Sequence, residues 1–264
     1  MTEQRMAPGE HMGTSLAQQR WENDSDCAHS DVDERLNDID EVKDMMLDPM
    51  SLPLFTIFQI LSTLILWLVF YMKDGAAVSG LDSLSPGWSL LKLNDSCVSY
   101  RGEIWRWLLY QFSHGPPSHI AMNVAYVLIL GLPLEGFHGT SRMFFMFNVG
   151  ILGGAFSWMV FNPHVPVVGM SGGCYSLLGM HLADLVMNWA ENPNRKKKLT
   201  FLLTLATLDV LNGLSTISSH TSHAAHSGGY LAGLMIGIVY GRNLLVTESE
   251  RQFSKLTLIF GLLL

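Results

Sequence analysis

The fold is decided by the uncharged stretch VPVVGMSGGCYSLLGMHLA, which runs from Val165 to Ala183. Its length is close to that of a membrane-spanning helix, which needs roughly 20 apolar residues. Near its beginning lies the segment Gly169-Met170-Ser171-Gly172-Gly173, in which a serine stands between glycines. Polar groups are costly inside a bilayer, so a hydroxyl in this position is a candidate functional group.

Composition separates an acidic tail from an apolar remainder. The chain has 264 residues, of which 48% are hydrophobic and 15% charged, whereas about 25% charged residues is usual for a soluble domain. Acidic residues are concentrated in residues 1–48, which have no hydrophobic signal segment and predict a largely disordered cytosolic tail. The net charge of -7 therefore says little about a binding surface, and we expect no nucleic-acid partner.

The remainder predicts an all-α, polytopic membrane helix bundle. Its apolar segments define a membrane domain over residues 49–242, with spans at about 54–72, 118–137, 143–161, 166–188, 199–217 and 222–241. Residues 243–264 are predicted to be a cytosolic linker and a partial seventh span, because the nine residues from Leu256 to Leu264 are too few to cross a bilayer. The predicted core therefore has six helices.

Basic residues predict the orientation of these spans. The loops after the second, fourth and sixth spans carry Arg142, the run from Arg195 to Lys198, and Arg242, whereas the turns after the third and fifth carry no Lys or Arg. Cytoplasmic loops are enriched in Lys and Arg. We therefore expect a cytosolic N-terminus, with the second, fourth and sixth spans each beginning at the luminal or exterior face.

Polar residues from three spans are predicted to meet near that face. At about 1.5 Å per residue, Ser171 and His226 both lie roughly 6–8 Å below the starts of their helices. His119 and Asn123 begin the second span and, being four residues apart, share a helix face. A neutral histidine can activate a serine hydroxyl for acyl transfer. The Asn123 amide, the His119 ring and the backbone N–H of Ser171 could then stabilise the resulting oxyanion.

Small residues favour His226 over His220 and His223 as the base. The fourth span carries small residues at spacings of three and four, and the sixth carries them at spacings of four, which permits close helix contact. These are Gly172, Ser176, Gly179 and Ala183 in the fourth span, and Ala225, Gly229, Gly233 and Gly237 in the sixth. Gly169 to Gly173 also fits the G-x-S-x-G pattern of soluble hydrolases, but that motif requires a strand before the turn, so we reject this interpretation.

Taken together, these residues resemble the rhomboid family of intramembrane serine proteases, in its animal secretase-type branch. The resemblance covers about residues 50 to 242. It includes a GxSG motif with an aromatic residue four positions after the serine, an H-x-x-x-N oxyanion motif, a Trp-Arg element and an AHxxG motif. These lie at Gly169-Met170-Ser171-Gly172 with Tyr175, at His119 to Asn123, at Trp105-Arg106 and at Ala225 to Gly229.

The resemblance implies a Ser171–His226 dyad with no obligatory acid, so Asp209 is a poor third member. It also implies that Tyr175 stacks on the histidine and that His119, Asn123, Gly169 and Gly172 form or support the oxyanion site. We expect no cofactor and no metal ion.

The expected partners are single-pass transmembrane proteins, which would be cleaved near the luminal end of their spans to release an ectodomain. The implied location is the Golgi, endosomal or plasma membrane, with the site facing the lumen or exterior. Two other classes remain open: an inactive rhomboid-like protein that binds membrane clients, and a transporter or channel. Inactive relatives typically lack the serine or histidine, and a transporter would show more intramembrane charge or an internal repeat.

Overall fold

The computed structural model describes residues 52–74, 91–93, 103–161, 163, 167–215, 223–244 and 248–263. The predicted acidic tail at residues 1–48 and His220 lie outside this part of the chain, as does the side chain of Asp209. The described part is helical, apart from loops and one antiparallel bridge between Leu93 and Val167. A polytopic helical bundle is therefore confirmed.

Eight α-helices and one short 3-10 helix, Tyr110–Phe112, make up the helical structure of the described part of the chain. The α-helices are α1 Leu54–Asp74, α2 Arg106–Leu109, α3 Pro117–His138, α4 Thr140–Phe161, α5 Ser171–Met187, α6 Arg195–Ser215, α7 His223–Tyr240 and α8 Glu248–Leu263. Within this part, Leu54–Met72, Pro117–His138 and Thr140–Phe161 are long and apolar enough to cross a membrane. That α5, α6 and α7 also span it stays a prediction.

The fourth predicted span differs from the observed helix at its start. The span was expected from about residue 166, but α5 begins at Ser171. Two features delay the helix: Val167 pairs with Leu93 through both backbone hydrogen bonds, and Gly169 has a φ of 99°. A positive φ is incompatible with a right-handed helix. Ser171 therefore lies at the first residue of its helix rather than a turn inside it.

Small residues bring α5 and α7 into backbone contact. A Cβ on Gly229 would collide with the carbonyl oxygen of Gly172, and one on Gly233 would collide with the backbone of Ser176. A Cβ on Gly237 would lie 2.6 Å from that of Ala183. The two small-residue faces predicted from the sequence thus pack against each other, as close helix approach in a bilayer requires.

A buried glutamate joins the ends of three helices away from Ser171. Glu135 in α3 is 3% exposed, and its carboxylate accepts hydrogen bonds from the backbone N–H groups of Phe55 at 2.7 Å and Thr56 at 2.9 Å. The Thr140 hydroxyl donates a third bond at 2.7 Å. A carboxylate at a helix N-terminus satisfies donors that the helix leaves unpaired. Glu135 therefore attaches the start of α1 to α3 and α4.

The last helix lies beside α7. The Ser254 hydroxyl donates to the carbonyl of Ile238 at 3.3 Å, and a Cβ on Gly261 would lie 2.6 Å from Cε of Met235. Since the later residue of α8 meets the earlier residue of α7, the two helices run in opposite directions. This path is the one expected of a chain returning across the membrane. With 16 residues, α8 is shorter than the roughly 20 residues that a membrane span needs.

Candidate active site

The site begins at the turn that precedes α5. A Cβ added to Gly169 would lie 2.7 Å from Cε1 and 2.9 Å from Nε2 of His119, and 3.3 Å from Nδ2 of Asn123. Together with its positive φ, this space restriction requires glycine at position 169. The predicted oxyanion residues therefore border the turn that carries Ser171.

Ser171 and His226 are brought together across the contact between α5 and α7. The Oγ atom of Ser171 lies 3.0 Å from Nε2 of His226. The ring of Tyr175 stacks on the His226 ring, with centroids 4.1 Å apart and planes 16° from parallel. When the hydroxyl donates, Nε2 accepts, so the ring proton lies on Nδ1. This is the arrangement in which an imidazole can remove the hydroxyl proton.

The N-terminus of α5 adds a favourable electrostatic field at the serine. Its first backbone N–H groups have no partner within the helix, and the helix dipole places partial positive charge there. Both effects favour an anion beside Ser171. Because α5 begins at Ser171 itself, its N-terminal field acts at the serine. A helix beginning at about residue 166, as expected from the sequence, would have its N-terminus more than one turn away.

A histidine that the sequence analysis did not select orients this turn. His114, which is fully buried, has its Nε2 3.0 Å from Nδ2 of Asn123 and 3.4 Å from the backbone N of Met170. Both neighbours are N–H donors, so Nε2 acts as the acceptor. Burial lowers the pKa of His114 to about 3, with a smaller contribution from His119. The ring therefore stays neutral, and keeps its acceptor, throughout the physiological pH range.

A buried polar network lies beneath Met170. The side-chain amide of Gln59 donates to Sδ of Met170 at 3.4 Å and to Oε1 of Gln111 at 3.1 Å. The amide of Gln111 in turn donates to Asn148 at 3.1 Å. The backbone N–H of Gly169 donates to the carbonyl of Tyr110 at 3.1 Å. Helix α1, the connection between α1 and α3 (the first loop) and α4 thus all contribute to holding the serine turn.

These supporting residues carried a weak sequence signal. His114 precedes His119 by five residues, so a His-x-x-x-x-His-x-x-x-Asn spacing was visible. Five residues do not place two side chains on one helix face, however, and α3 begins only at Pro117. Gln59 and Gln111 are 52 positions apart. Spacing alone does not show such a contact.

Several other candidates are exposed or serve packing. His223 is exposed, and its ring centroid lies 6.3 Å from that of His226. Arg106 binds the Glu103 carboxylate at 2.6 Å and the Lys92 carbonyl at 2.8 Å, which ties the first loop together. Cys174 is buried. Among the described residues, no group of three or more His, Cys, Asp or Glu side chains is arranged to hold a metal ion.

A serine–histidine pair within a polytopic helical bundle is suited to hydrolysis inside a membrane. A model of the rhomboid domain matches residues 101–243, which is more than half of the chain, and the chain therefore belongs to the rhomboid family of intramembrane proteases. The resemblance drawn from the motifs is confirmed. The matched region begins after α1, although the resemblance was expected from about residue 50.

Three curated relatives show the range of the family that the chain resembles. It is 38% identical over 105 residues to human rhomboid-related protein 3, covering 40% of this chain and 26% of that protein. It is 28% identical over 189 residues to the inactive rhomboid-related protein 2 of Caenorhabditis elegans, covering 71% and 53%. It is 28% identical over 145 residues to rhomboid-like protease 1 of Toxoplasma gondii, covering 54% and 50%. The chain thus spans about a quarter to a half of the length of these relatives.

Proposed function

We propose that this protein is an intramembrane serine endopeptidase in which Ser171 is the nucleophile and His226 the general base. The observation that carries the proposal is the 3.0 Å separation of Ser171 Oγ and His226 Nε2. The stacked Tyr175 ring supports it by restricting the orientation of the imidazole. One relative is named inactive, so family membership alone does not imply catalysis, whereas this pair of side chains supports it.

Acylation follows from this geometry. Ser171 Oγ attacks the carbonyl carbon of the scissile peptide bond while its proton passes to Nε2 of His226. The tetrahedral intermediate collapses, the C–N bond breaks, and His226 gives the proton to the leaving amine. Water then transfers a proton to Nε2 and attacks the acyl ester, which releases the carboxylic acid and regenerates the Ser171 hydroxyl. Neither half-reaction requires a metal or an organic cofactor.

The developing oxyanion has donors on the Gly169 side of the serine. We assign this role to the Asn123 amide, the His119 ring and the backbone N–H of Ser171, with Gly169 and Gly172 providing space. Loss of one such donor typically lowers the rate by about 10²–10³-fold. His119→Ala and Asn123→Ala should therefore retain more activity than variants of the dyad.

His114→Phe should lower kcat by about 10²-fold while leaving KM nearly unchanged. Phenylalanine keeps a planar ring but provides no acceptor for the Asn123 amide and the Met170 N–H, so the oxyanion donors lose their orientation. Steady-state kinetics on a reconstituted transmembrane substrate measures the two constants. His223→Phe makes the same change at an exposed position of α7 and should behave as wild type. An unchanged kcat in a folded His114→Phe protein would contradict this role.

The proposed substrate is a single-pass membrane protein with its N-terminus outside. The distribution of Lys and Arg supports a cytosolic N-terminus, and with it a dyad near the luminal or exterior face. A peptide bond within a regular helix has its carbonyl hydrogen-bonded and its backbone shielded, so Ser171 can attack only a segment that has left the helix. We infer that substrates carry Gly, Ala, Ser or other helix-weakening residues near the luminal end of the span. We propose growth-factor precursors as candidate substrates of this class.

Replacing those residues with leucine should suppress cleavage. Leucine favours a helix over glycine by a sizeable part of about 1 kcal/mol per site, so several replacements should lower cleavage by about tenfold or more. Coexpression with candidate substrates measures released ectodomain against the Ser171→Ala protein, and mass spectrometry of the fragment locates its new C-terminus. A cut near the cytosolic end, or cleavage indifferent to leucine replacement, would count against both mechanism and orientation.

A further inference from the structure

Helix α3, which carries the proposed oxyanion residues, is irregular at one turn. It contains a π-helical turn at Val127–Gly131, called the π turn below, in which backbone hydrogen bonds join residues five apart instead of four. Pro133 follows two residues later. Proline has no N–H to donate, and its ring collides with the carbonyl four residues before it, so the regular helix ladder is interrupted here. At about 1.5 Å per residue, Leu130 in this turn lies roughly 10 Å along the helix from Asn123.

A histidine of α5 binds a carbonyl of the π turn. His181 Nε2 lies 3.0 Å from the backbone oxygen of Leu130, and both residues are buried. A carbonyl only accepts, so Nε2 carries the ring proton and donates it. Inside a bilayer no water satisfies backbone groups, and where proline interrupts a helix the neighbouring helices supply partners. This contact therefore joins α5, which carries Ser171, to the irregular turn of α3.

The two halves of α3 are held by different partners. Before the π turn, the Asn123 amide contacts His114 at 3.0 Å, and the Asn123 carbonyl accepts from Sγ of Cys174 at 3.6 Å. After it, the Glu135 carboxylate binds the start of α1. The π turn lies between these two attachments, so its winding sets the rotation of the half that carries Asn123 relative to the half that carries Glu135. The hydrogen bond from His181 holds that winding from α5.

We propose that His181 is a positioning residue for the reaction proposed above, and this role rests on that reaction. By holding the Leu130 carbonyl, His181 fixes the winding of the π turn and with it the orientation of Asn123 and His119 beside Ser171. His181 lies roughly 15 Å from Ser171 along α5, so it acts through α3 and not on the reacting atoms. A misplacement of about 1 Å far from the chemistry can cost about 10²-fold in rate. Because His181 acts on Asn123 through about two turns of helix, we expect a loss of about tenfold when its donor is removed.

Three variants of His181 separate its donor from its ring. The Nε2 atom of glutamine is as many bonds from Cα as Nε2 of histidine, so His181→Gln keeps a donor for the Leu130 carbonyl. His181→Asn keeps an amide that ends one bond short, and His181→Phe keeps a ring without a donor. We expect His181→Asn and His181→Phe to lower kcat about tenfold with KM nearly unchanged. His181→Gln should retain most of the activity.

Two threonines provide controls for polarity and for stability. Thr56 also borders the π turn, because a Cβ on Gly131 would lie 3.6 Å from its Oγ1. That hydroxyl is buried and has no hydrogen-bond partner in the described part of the chain, so Thr56→Val should keep the kcat of wild type. Thr140→Val removes the hydrogen bond to Glu135 at the far end of α3. It should lower Tm without changing kcat.

The experiment uses the whole protein in phosphatidylcholine nanodiscs, with a single-pass substrate that carries Gly and Ala near the luminal end of its span. Steady-state kinetics well below the lowest Tm gives kcat and KM, and thermal unfolding gives Tm. A fluorophosphonate probe measures the reactivity of Ser171 without a bound substrate helix. Its labelling rate should fall together with kcat in His181→Phe, because the probe also places negative charge in the oxyanion site.

Each contrary outcome identifies a different failure. Equal cleavage and labelling in Ser171→Ala and wild type would refute the proposed function, and the role of His181 with it. An active wild type and an unchanged kcat in His181→Phe would refute the positioning role alone. If His181→Phe does not fold, the comparison of His181→Asn with His181→Gln decides, since equal kcat in these two would show that the donor is not needed. A matching fall of kcat in Thr140→Val would attribute the loss to stability instead of position.

Discussion

Ser171→Ala should remove essentially all proteolysis, with a fall in kcat of roughly 10⁴–10⁶-fold, while leaving Tm unchanged. The Ser171 hydroxyl lies 3.0 Å from His226 Nε2, and it is the group that we propose forms the acyl-enzyme. Its loss removes one hydrogen bond at the edge of the helix contact and leaves the packing intact. A fluorophosphonate probe, which reacts with activated serines, should label wild type and not this variant.

His226→Ala should abolish probe labelling as well, although the Ser171 hydroxyl is still present. An unactivated serine hydroxyl is a poor nucleophile, so removing the base has an effect similar to removing the nucleophile. His223→Ala is the matched control, because it makes the same change three residues earlier on the same helix at an exposed position. Full activity in His226→Ala, or equal labelling of Ser171→Ala and wild type, would refute the dyad.

Gly229→Ala should lower kcat by about 10²-fold and also lower Tm. The added Cβ would collide with the carbonyl oxygen of Gly172, and backbone cannot rotate away as a side chain can. Overpacking of this kind costs about 1–3 kcal/mol, which exceeds the roughly 0.5–1 kcal/mol that alanine gains over glycine in a helix. The helices must separate, and His226 moves away from Ser171. Kinetics and thermal unfolding in the same nanodiscs measure both effects.

Gly136→Ala controls for the change of residue type. A Cβ at Gly136 would meet no atom within 4 Å, so only the gain in helix propensity remains and Tm should stay level or rise slightly. A Gly229→Ala protein with wild-type kcat and Tm would show that the close approach of α5 and α7 is not needed for the site.

Most of the fold could be predicted from local sequence, because membrane helices follow simple rules. Three features can each be seen within a short stretch of sequence: the length of apolar segments, the basic residues in loops and the spacing of small residues. Together they indicated a helical membrane bundle. The four-residue spacing of His119 and Asn123 likewise follows from helix geometry. The catalytic roles of Ser171 and His226 and the oxyanion roles of His119 and Asn123 are proposals. The structure brings Ser171 Oγ to 3.0 Å from His226 Nε2.

Tertiary structure alone decided the start of α5 and the support of the serine turn. Residues 167–170 are compatible with a helix by composition, but the pairing of Val167 with Leu93 and the positive φ of Gly169 prevent one. Leu93 is far away in the sequence, so no local pattern records this pairing.

The hydrogen bonds of His114 and His138 likewise could not be predicted from the sequence. Each depends on which distant N–H group meets which ring nitrogen, and for both histidines these donors include backbone N–H groups. Every residue except proline carries such a donor, so side-chain identity does not reveal the contact. The sequence therefore determined which residues can do chemistry in the membrane, and the packing of the helices decided which ring nitrogens accept, which donate, and what they face.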